Sequence, residues 1–441
     1  MTTDVSKVQV PVNVPGFDGA MVAALSVGEP ALLSAARAAA LEKYRSLPMP
    51  SRRDEEWKRT EPDLFPFDRV KPLPLLPREE APVDDWNDKF DVVVHVRSKG
   101  YSIRDVSGVL AAGGVKVLSF AEAARDMGDA FAQYLQGHAQ RVGAGKFDAL
   151  GDACWNVGLF VQVPPRCVLE RGILIRYEHD EDLSVLVPRL VIVVGEGAQA
   201  AVAEQMVSPD GKTLMVLPSK EIYIGEKGNL KLVSLQEWGD DTYHISSDWA
   251  VVSRDAQLDW ATVNLGGKVC KMVFGSDGAG QGARSELHGL YFATGEQHMD
   301  QRTLQVHSAP DTYSNLLYKG AVLDRAHSVY QGLIIARKGA IRVDAYQKNN
   351  NLVLSDGARA DSLPGLEIDA DDLKCSHGST IGNLDEDEVF YLRSRGLSDA
   401  QARKMLITGF FEQTLEKVPF EFIKEYARER IEAKMGRLMG V

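Results

Sequence analysis

Cysteine is scarce and scattered. Cys154, Cys167, Cys270 and Cys375 are all that 441 residues contain, and no two share a Cys-x-x-Cys spacing. A chain this long does not need disulfide staples, so a reducing compartment is the expectation. Positive charge is also short: 50 Lys and Arg stand against 62 Asp and Glu, a formal net charge of -12. That balance lacks the dense basic surface a phosphate backbone requires, and no nucleic-acid partner is expected. Nowhere do about 18 apolar residues run together, the length needed to cross a bilayer, so no membrane span is expected. The first thirty residues lack a basic region followed by an apolar stretch, and Asp4, Asp18 and Glu29 are poor company for a transit peptide. A cytoplasmic location is the reading. Catalytic signatures are missing too: the sequence has no GxxxxGK[ST] phosphate loop, no GxSxG elbow and no HExxH helix. P-loop ATP hydrolysis would therefore have to come from a partner.

What is present divides the chain into three. With 44% hydrophobic residues it can bury a sizeable core. From Pro30 to Arg45 an alanine-rich stretch with leucines at helical spacing ends on Lys43 and Arg45, which suit the negative end of a helix dipole. Ser51, followed by Asp54 to Glu56, predicts a short capped helix between Pro50 and Pro62; Pro66, Pro72, Pro74 and Pro77 then mark a linker. Residues 1–85 are thus read as a helical N-terminal region with its linker.

Across 86–375, with 90–150 of mixed character, short β-rich runs meet small polar corners again and again. RLVIVV meets Gly195-Glu-Gly-Ala198, EIYI meets Gly225-Glu-Lys-Gly228, WAVVS meets Arg254-Asp-Ala256, and VYQGLIIA meets Arg337-Lys-Gly-Ala340; NLVLSDGA follows at 351–358. A period of roughly 30 residues is that of stacked units, each too small to bury its own apolar face alone. A parallel β-helix, or β-solenoid, is the predicted core. A β-sandwich is the rival, but it would call for hairpin dipeptides that are scarce here. Gly278-Ala-Gly-Gln-Gly-Ala283 partly matches a dinucleotide fingerprint, yet RSELHGLYFAT after it reads as a strand rather than a helix, so a corner is expected.

Residues 376–441 return to helix. Asp385 to Glu388 followed by Arg393, Arg395 and Gly396 is the charge order and C-cap of one helix, Ser398-x-x-Gln401 caps a second running to about Val418, and Pro419 is placed to open a third.

Two constellations could hold metal. Cys375 and His377 are two apart, so on an extended segment they face the same way, and a thiolate with an imidazole suits iron, zinc or a cluster. Two donors do not close a site, so any others come from elsewhere in the fold or from another chain. His288, His298, His307 and His327 are the second set, read as scattered surface or corner residues.

The stretch KCSHGSTIGNLDEDEVFYLRSRGLSDAQARKML resembles the C-terminal signature of the SufB/SufD family of iron-sulfur cluster assembly proteins. The likeness extends upstream through HMDQRTLQVHSAPDTYSNLLYKGAVLDRAHSVYQGLI and QKNNNLVLSDGARADSLPGLEI, and PSRRDEEWKRT looks like the family's SufD entry segment. The resemblance implies a right-handed parallel β-helix with helical ends, working as a non-catalytic scaffold with SufB-like and SufC-like subunits, SufC being the ATPase. It implies a nascent cluster or iron shared transiently with SufB, and a homodimer as one form of the isolated chain. Ala358 stands where SufB has a sulfur-receiving cysteine, which points toward SufD. On the same grounds His377, and less strongly Cys375, is the metal or cluster ligand facing SufB. Asp385, Phe390, Tyr391, Arg393, Arg395 and Gly396 belong to the region that docks SufC. A β-helical carbohydrate-active enzyme is the alternative, which would need convergent carboxylates along one groove.

Overall fold

The computed structural model describes residues 14, 16–80, 86–112, 114–135 and 141–436. Its centre is a right-handed parallel β-solenoid with helices at both ends of the chain, as predicted. Sixteen strands build it: β1 Val157–Val163, β2 Ile173–Glu178, β3 Pro188–Val194, β4 Gln199–Val207, β5 Ser219–Ile224, β6 Asn229–Glu237, β7 Thr242–Val252, β8 Gln257–Asn264, β9 Val269–Gly278, β10 Arg284–Ala293, β11 His298–His307, β12 Tyr313–Val322, β13 His327–Ala336, β14 Asp344–Val353, β15 Arg359–Ile368 and β16 Lys374–Gly382. Odd strands stack into one parallel sheet and even strands into the other. Two successive strands therefore make one turn of the column.

The corners set the period. Arg166, Gly197, Lys227, Asp255, Gly282, Asp311, Arg342 and Asp372 all have positive φ, one per turn at intervals of roughly 30 residues. From Arg166 to Arg342 the left-handed residues hand their N–H to the corner above, for example Gly197 to Glu226 O, Lys227 to Arg254 O and Asp255 to Gln281 O, at 2.8 to 3.0 Å. The column is hydrogen-bonded through its corners as well as its strands. Gly282 closes the corner at 278–283, and a Cβ there would lie 2.4 Å from Asp255 Oδ1. The glycine-rich motif is thus a turn between β9 and β10, as expected.

Through the middle of the column both faces of each sheet are covered, which explains the near-continuous apolar runs there. Inside the column Leu190, Ile192, Ile222, Ile224, Leu230, Leu232, Ala250 and Val252 form the main core. The outer face of the odd sheet meets the N-terminal helices α1 Gly19–Leu25 and α2 Ala31–Ser46, along with α3 Phe120–Met127, α4 Asp129–Ala132 and α5 Lys146–Cys154. Arg37 of α2 is fully buried there, paired with Glu29 at 2.8 Å and lying 3.5 Å above the Trp155 ring. The outer face of the even sheet meets α7 Asp399–Leu415 and α8 Glu421–Met435 through Ile407, Phe411, Leu415, Ile423 and Ile431, and α6 Glu386–Ser394 packs against α7. Burying each of these large side chains stabilises the contact by about 1.5–3 kcal/mol. The ion pair Arg430–Glu237 adds orientation more than energy, since the Arg430 side chain is half exposed.

Some expectations change. α2 matches the predicted helix, but the capped helix expected after Ser51 is a run of turns. Ser51 Oγ does accept from Arg53 N, and Ser51 N–H donates to Asp54 Oδ2 at 2.7 Å. The Glu56 carbonyl, however, is taken by Lys271 Nζ at 2.6 Å instead of a helical N–H, and Trp57 turns onto Phe147. Helix α1 went unread in the sequence; Asp18 caps it by accepting from Ala20 N and Met21 N. Residues 1–13 and the linker's end, 81–85, lie outside the described residues. At the other end, the boundary drawn after Cys375 falls inside β16, so the CSHG motif belongs to the column and not to the junction beyond it. The three C-terminal helices begin at Glu386, with Ser398 and Gln401 forming a capping box and Phe420 as N-cap of α8, one residue past Pro419.

The two ends of the column differ. At the start, Lys116–Ser119 pairs antiparallel with β1, while Val92–Arg97 lies on β2 and carries Gly100–Asp105 antiparallel beside it. At the finish, β15 and β16 each pair on one side only among the described residues.

Candidate functional site at the open end of the column

Parity along β14 and β16 decides which side chains face inward. The register pairs Ala345 with Cys375, Gln347 with His377 and Asn349 with Ser379. Asn349 reaches across the lumen to β15, where Ser362 Oγ donates to Asn349 Oδ1 at 2.7 Å, and Ser379 Oγ meets Ser362 Oγ at 2.8 Å. Cys375, His377 and Ser379 therefore stand on one inner row of the last strand, and the two-apart reading of Cys375 and His377 holds.

Their environments differ. Cys375 is half buried against a small apolar cluster of Ala340, Val343, Ala345 and Leu373. Burial, and then the neighbouring Asp344 carboxylate, push its thiol above the usual range. It is a soft donor held protonated until a cation displaces the proton. His377 is exposed. Among the described residues no three His, Cys, Asp or Glu side chains converge on a point that could hold a metal ion. This chain thus offers a thiol and an imidazole in one row, with the space above them open.

The other histidines separate. His298 and His327 are register partners on β11 and β13, their rings T-shaped at 4.8 Å. His327 pairs with Asp361 of β15 at 2.8 Å, and His298 Nε2 lies 2.8 Å from Thr60 Oγ1, whose hydroxyl donates to Asp300. Burial takes His298 down to about 4, so it stays neutral. His307 points inward between Thr312 and Ser314 and is likewise lowered to about 4 by burial. His288 faces outward beside Glu286 at 3.4 Å. Two of the four share a ladder and none shares a site with His377.

Sequence reasoning missed the polar lining of the lumen. Lys220 is buried between Glu204 at 2.5 Å and Asp248 at 3.2 Å, with its ammonium over Trp260. Toward the open end follow Gln305 bonded to Ser314, Tyr330 to Thr303, and Asn349 and Asn351 to Tyr291. The only signal was an excess of Gln and Asn inside strands, as in QKNNN at 347–351.

At the far end of the chain Asp385 caps α6 by accepting from Asp387 N at 2.8 Å, and Gly396, at φ +97°, ends it. Val389 is buried, whereas Phe390 is 71% exposed, Tyr391 55% and Met405 of α7 55%. The Arg395 guanidinium sits 5.2 Å above the Tyr391 ring, and Arg393 is 3.5 Å from Asp399. So Asp385 and Gly396 shape the helix, while Phe390, Tyr391 and Met405 leave apolar surface uncovered. Ala358 closes the corner between β14 and β15, half buried against the inner core. No helix of the described residues is long and apolar enough to cross a membrane.

Comparison with known proteins agrees with this arrangement. The model of the SUF system FeS cluster assembly SufBD core domain matches residues 176–410. An iron-sulfur cluster assembly SufBD family protein of Mycobacterium tuberculosis is 36% identical over 277 residues, 58% of this chain and 70% of the relative. A SufBD family protein of Synechocystis is 32% identical over 255 residues, 56% of each chain. The chloroplastic protein ABCI7 of Arabidopsis thaliana is 27% identical over 416 residues, 90% of this chain and 84% of the relative. With the column built, its corners in register and more than half of its length matched, the carbohydrate-enzyme alternative falls away, and the chain belongs to the SufBD family of iron-sulfur cluster assembly proteins.

Proposed function

We propose that this chain is the SufD-type scaffold subunit of a cytoplasmic SUF complex, non-catalytic itself, joining its open column end to a SufB-like subunit and offering α6 and α7 to a SufC-like ATPase. The observation that carries this reading is the inner-row pair Cys375 and His377 on β16, a strand with one free edge. Thiolate and imidazole suit iron and its sulfide clusters. With two donors from this side, the remaining ligands fall to a facing chain, and the nascent cluster or iron is cargo held transiently between the two. The chain alone holds none stably.

Ala358 supports the SufD assignment, because a methyl group cannot take sulfur and that step is left to the partner. The exposed Phe390, Tyr391 and Met405 form a hydrophobic face of the kind a protein partner covers. ATP-driven closure of two SufC-like subunits on such helices would bias the two columns between a closed and an open mouth, serving cluster formation and iron acquisition. In isolation, two copies of this chain meeting through the same free edges is the corresponding homodimer.

The test is co-expression of the tagged chain with SufB-like and SufC-like subunits, followed by anaerobic size-exclusion chromatography with iron and sulfide analysis. Co-elution of all three with acid-labile sulfide is expected. A chain that elutes alone in the presence of both partners would overturn the reading.

A further inference from the structure

Gln347 is an anomaly in the inner row of β14. Its side chain is fully buried, yet neither its amide nitrogen nor its amide oxygen has a hydrogen-bond partner. Buried polar groups are paired as a rule, so both orphans need a reason. The carboxamide lies flat across the lumen against Gly332, where a Cβ would stand 2.2 Å from Nε2. Glycine at 332 is what gives the amide room.

Its inner-row neighbours supply no partner. Ala345 on one side is apolar. Asn349 on the other is committed, donating to Tyr291 Oη and Tyr318 O while its oxygen takes Asn351 and Ser362. In the turn below, the register partner is Leu316. In the turn above it is His377, about 4.8 Å away in the stacking direction. His377 is also the one of these neighbours whose polar atoms carry no hydrogen bond or ion pair.

We propose that Gln347 is the positioning residue for His377, and this rests on the reading of His377 as a ligand. When the imidazole turns into the mouth of the column, one ring N–H donates to Gln347 Oε1. That bond fixes the tautomer and leaves the lone pair of the other nitrogen aimed at the open edge, where metal is taken. Ligating histidines characteristically donate their second nitrogen to such an acceptor. The amide is built in advance and stays dry beneath the last turn, so the bond costs no desolvation of Gln347 when it forms.

Two measurements test this on the complex with SufB-like and SufC-like subunits and on the full chain. In the complex, anaerobic Co(II) binding is followed by absorption for the wild type, Gln347→Met, Gln347→Glu and His377→Ala. Gln347→Met should weaken Co(II) binding by about 10–100-fold, the cost of losing an outer partner of a ligating histidine. Gln347→Glu, which keeps an acceptor, should restore most of it, and the Met variant should melt no lower than wild type because two unpaired polar atoms are gone. In the full chain carrying 15N-histidine, the two ring tautomers of His377 should be strongly unequal in wild type and near even in Gln347→Met. Unchanged Co(II) affinity together with unchanged tautomers would overturn the inference. If Co(II) binds equally well to wild type and His377→Ala, the ligand reading itself fails, and the tautomer ratio still decides whether Gln347 sets the ring.

Discussion

Replacing Lys220 by Met should damage the column as much as a large apolar truncation, although little volume is lost. The ammonium lies between the carboxylates of Glu204 and Asp248, with Ser234 Oγ at 3.3 Å. Methionine fills the volume but removes the ammonium from between the two carboxyl groups, leaving only the weaker pull of Arg141 on Asp248. Breaking a buried ion pair from one side typically costs about 3–5 kcal/mol. With a urea slope of about 3 kcal/mol per molar, the unfolding midpoint should fall by at least about 1 M. The loss should also depend on pH. Burial already pushes the Asp248 carboxyl up to about 6, with Lys220 pulling the other way. A carboxyl whose folded pKa lies above its unfolded one makes the native state bind the extra proton, so stability declines as pH climbs from about 4 toward 6. Without Lys220 that pull is gone, the carboxyl rises further, and the decline continues to higher pH. The variant should therefore lose more relative to wild type at pH 8 than at pH 5. The assay is urea unfolding followed by circular dichroism at both pH values. A midpoint unchanged from wild type, or an equal loss at both pH values, would refute the argument that the cation is what permits two acids inside the column.

Three further outcomes follow from the same geometry. His377→Ala should leave folding and complex assembly intact, since the ring is exposed, while lowering acid-labile sulfide in the purified complex; full cluster content would exclude a ligand role. Phe390→Ser with Tyr391→Ser should keep the circular dichroism spectrum of the chain and cost co-purification of the SufC-like subunit, with retention of that subunit counting against α6 as its dock. Leu366→Lys with Ile381→Lys places charge on the half-exposed rim of β15 and β16, and should reduce co-elution with the SufB-like subunit without lowering the melting temperature by more than about 1 °C per residue changed, because surface substitutions are usually worth under 0.5 kcal/mol.

Much of this fold could be read from the sequence because its rules are local. Five of the eight left-handed corner residues, Gly197, Asp255, Gly282, Asp311 and Asp372, are Gly or Asp, and the small polar corner around each recurs once per turn, so the period survives without knowledge of the pairing. Helix α7 was visible through Ser398 and Gln401, whose side chains and backbones bond reciprocally. The failures come from contacts distant in sequence. The turns after Ser51 exist because Lys271, 215 residues away, claims the Glu56 carbonyl. The polar lumen stayed hidden because parity, inward or outward, depends on strand register; nothing in QKNNN says that Gln347 and Asn349 face in while Lys348 and Asn350 face out. Cys375 and His377 were found as a pair from their spacing, but their place within the column, and the empty-handed amide beneath them, needed coordinates.

The two ends of the column differ in backbone polarity: β15 and β16 run parallel to the strands beneath them, whereas Lys116–Ser119 and Gly100–Asp105 run antiparallel to their neighbours at the other end. A strand arriving at one end thus meets a chain running the opposite way from the one it would meet at the other. The column's two ends are told apart by the direction of the main chain before any side chain is read.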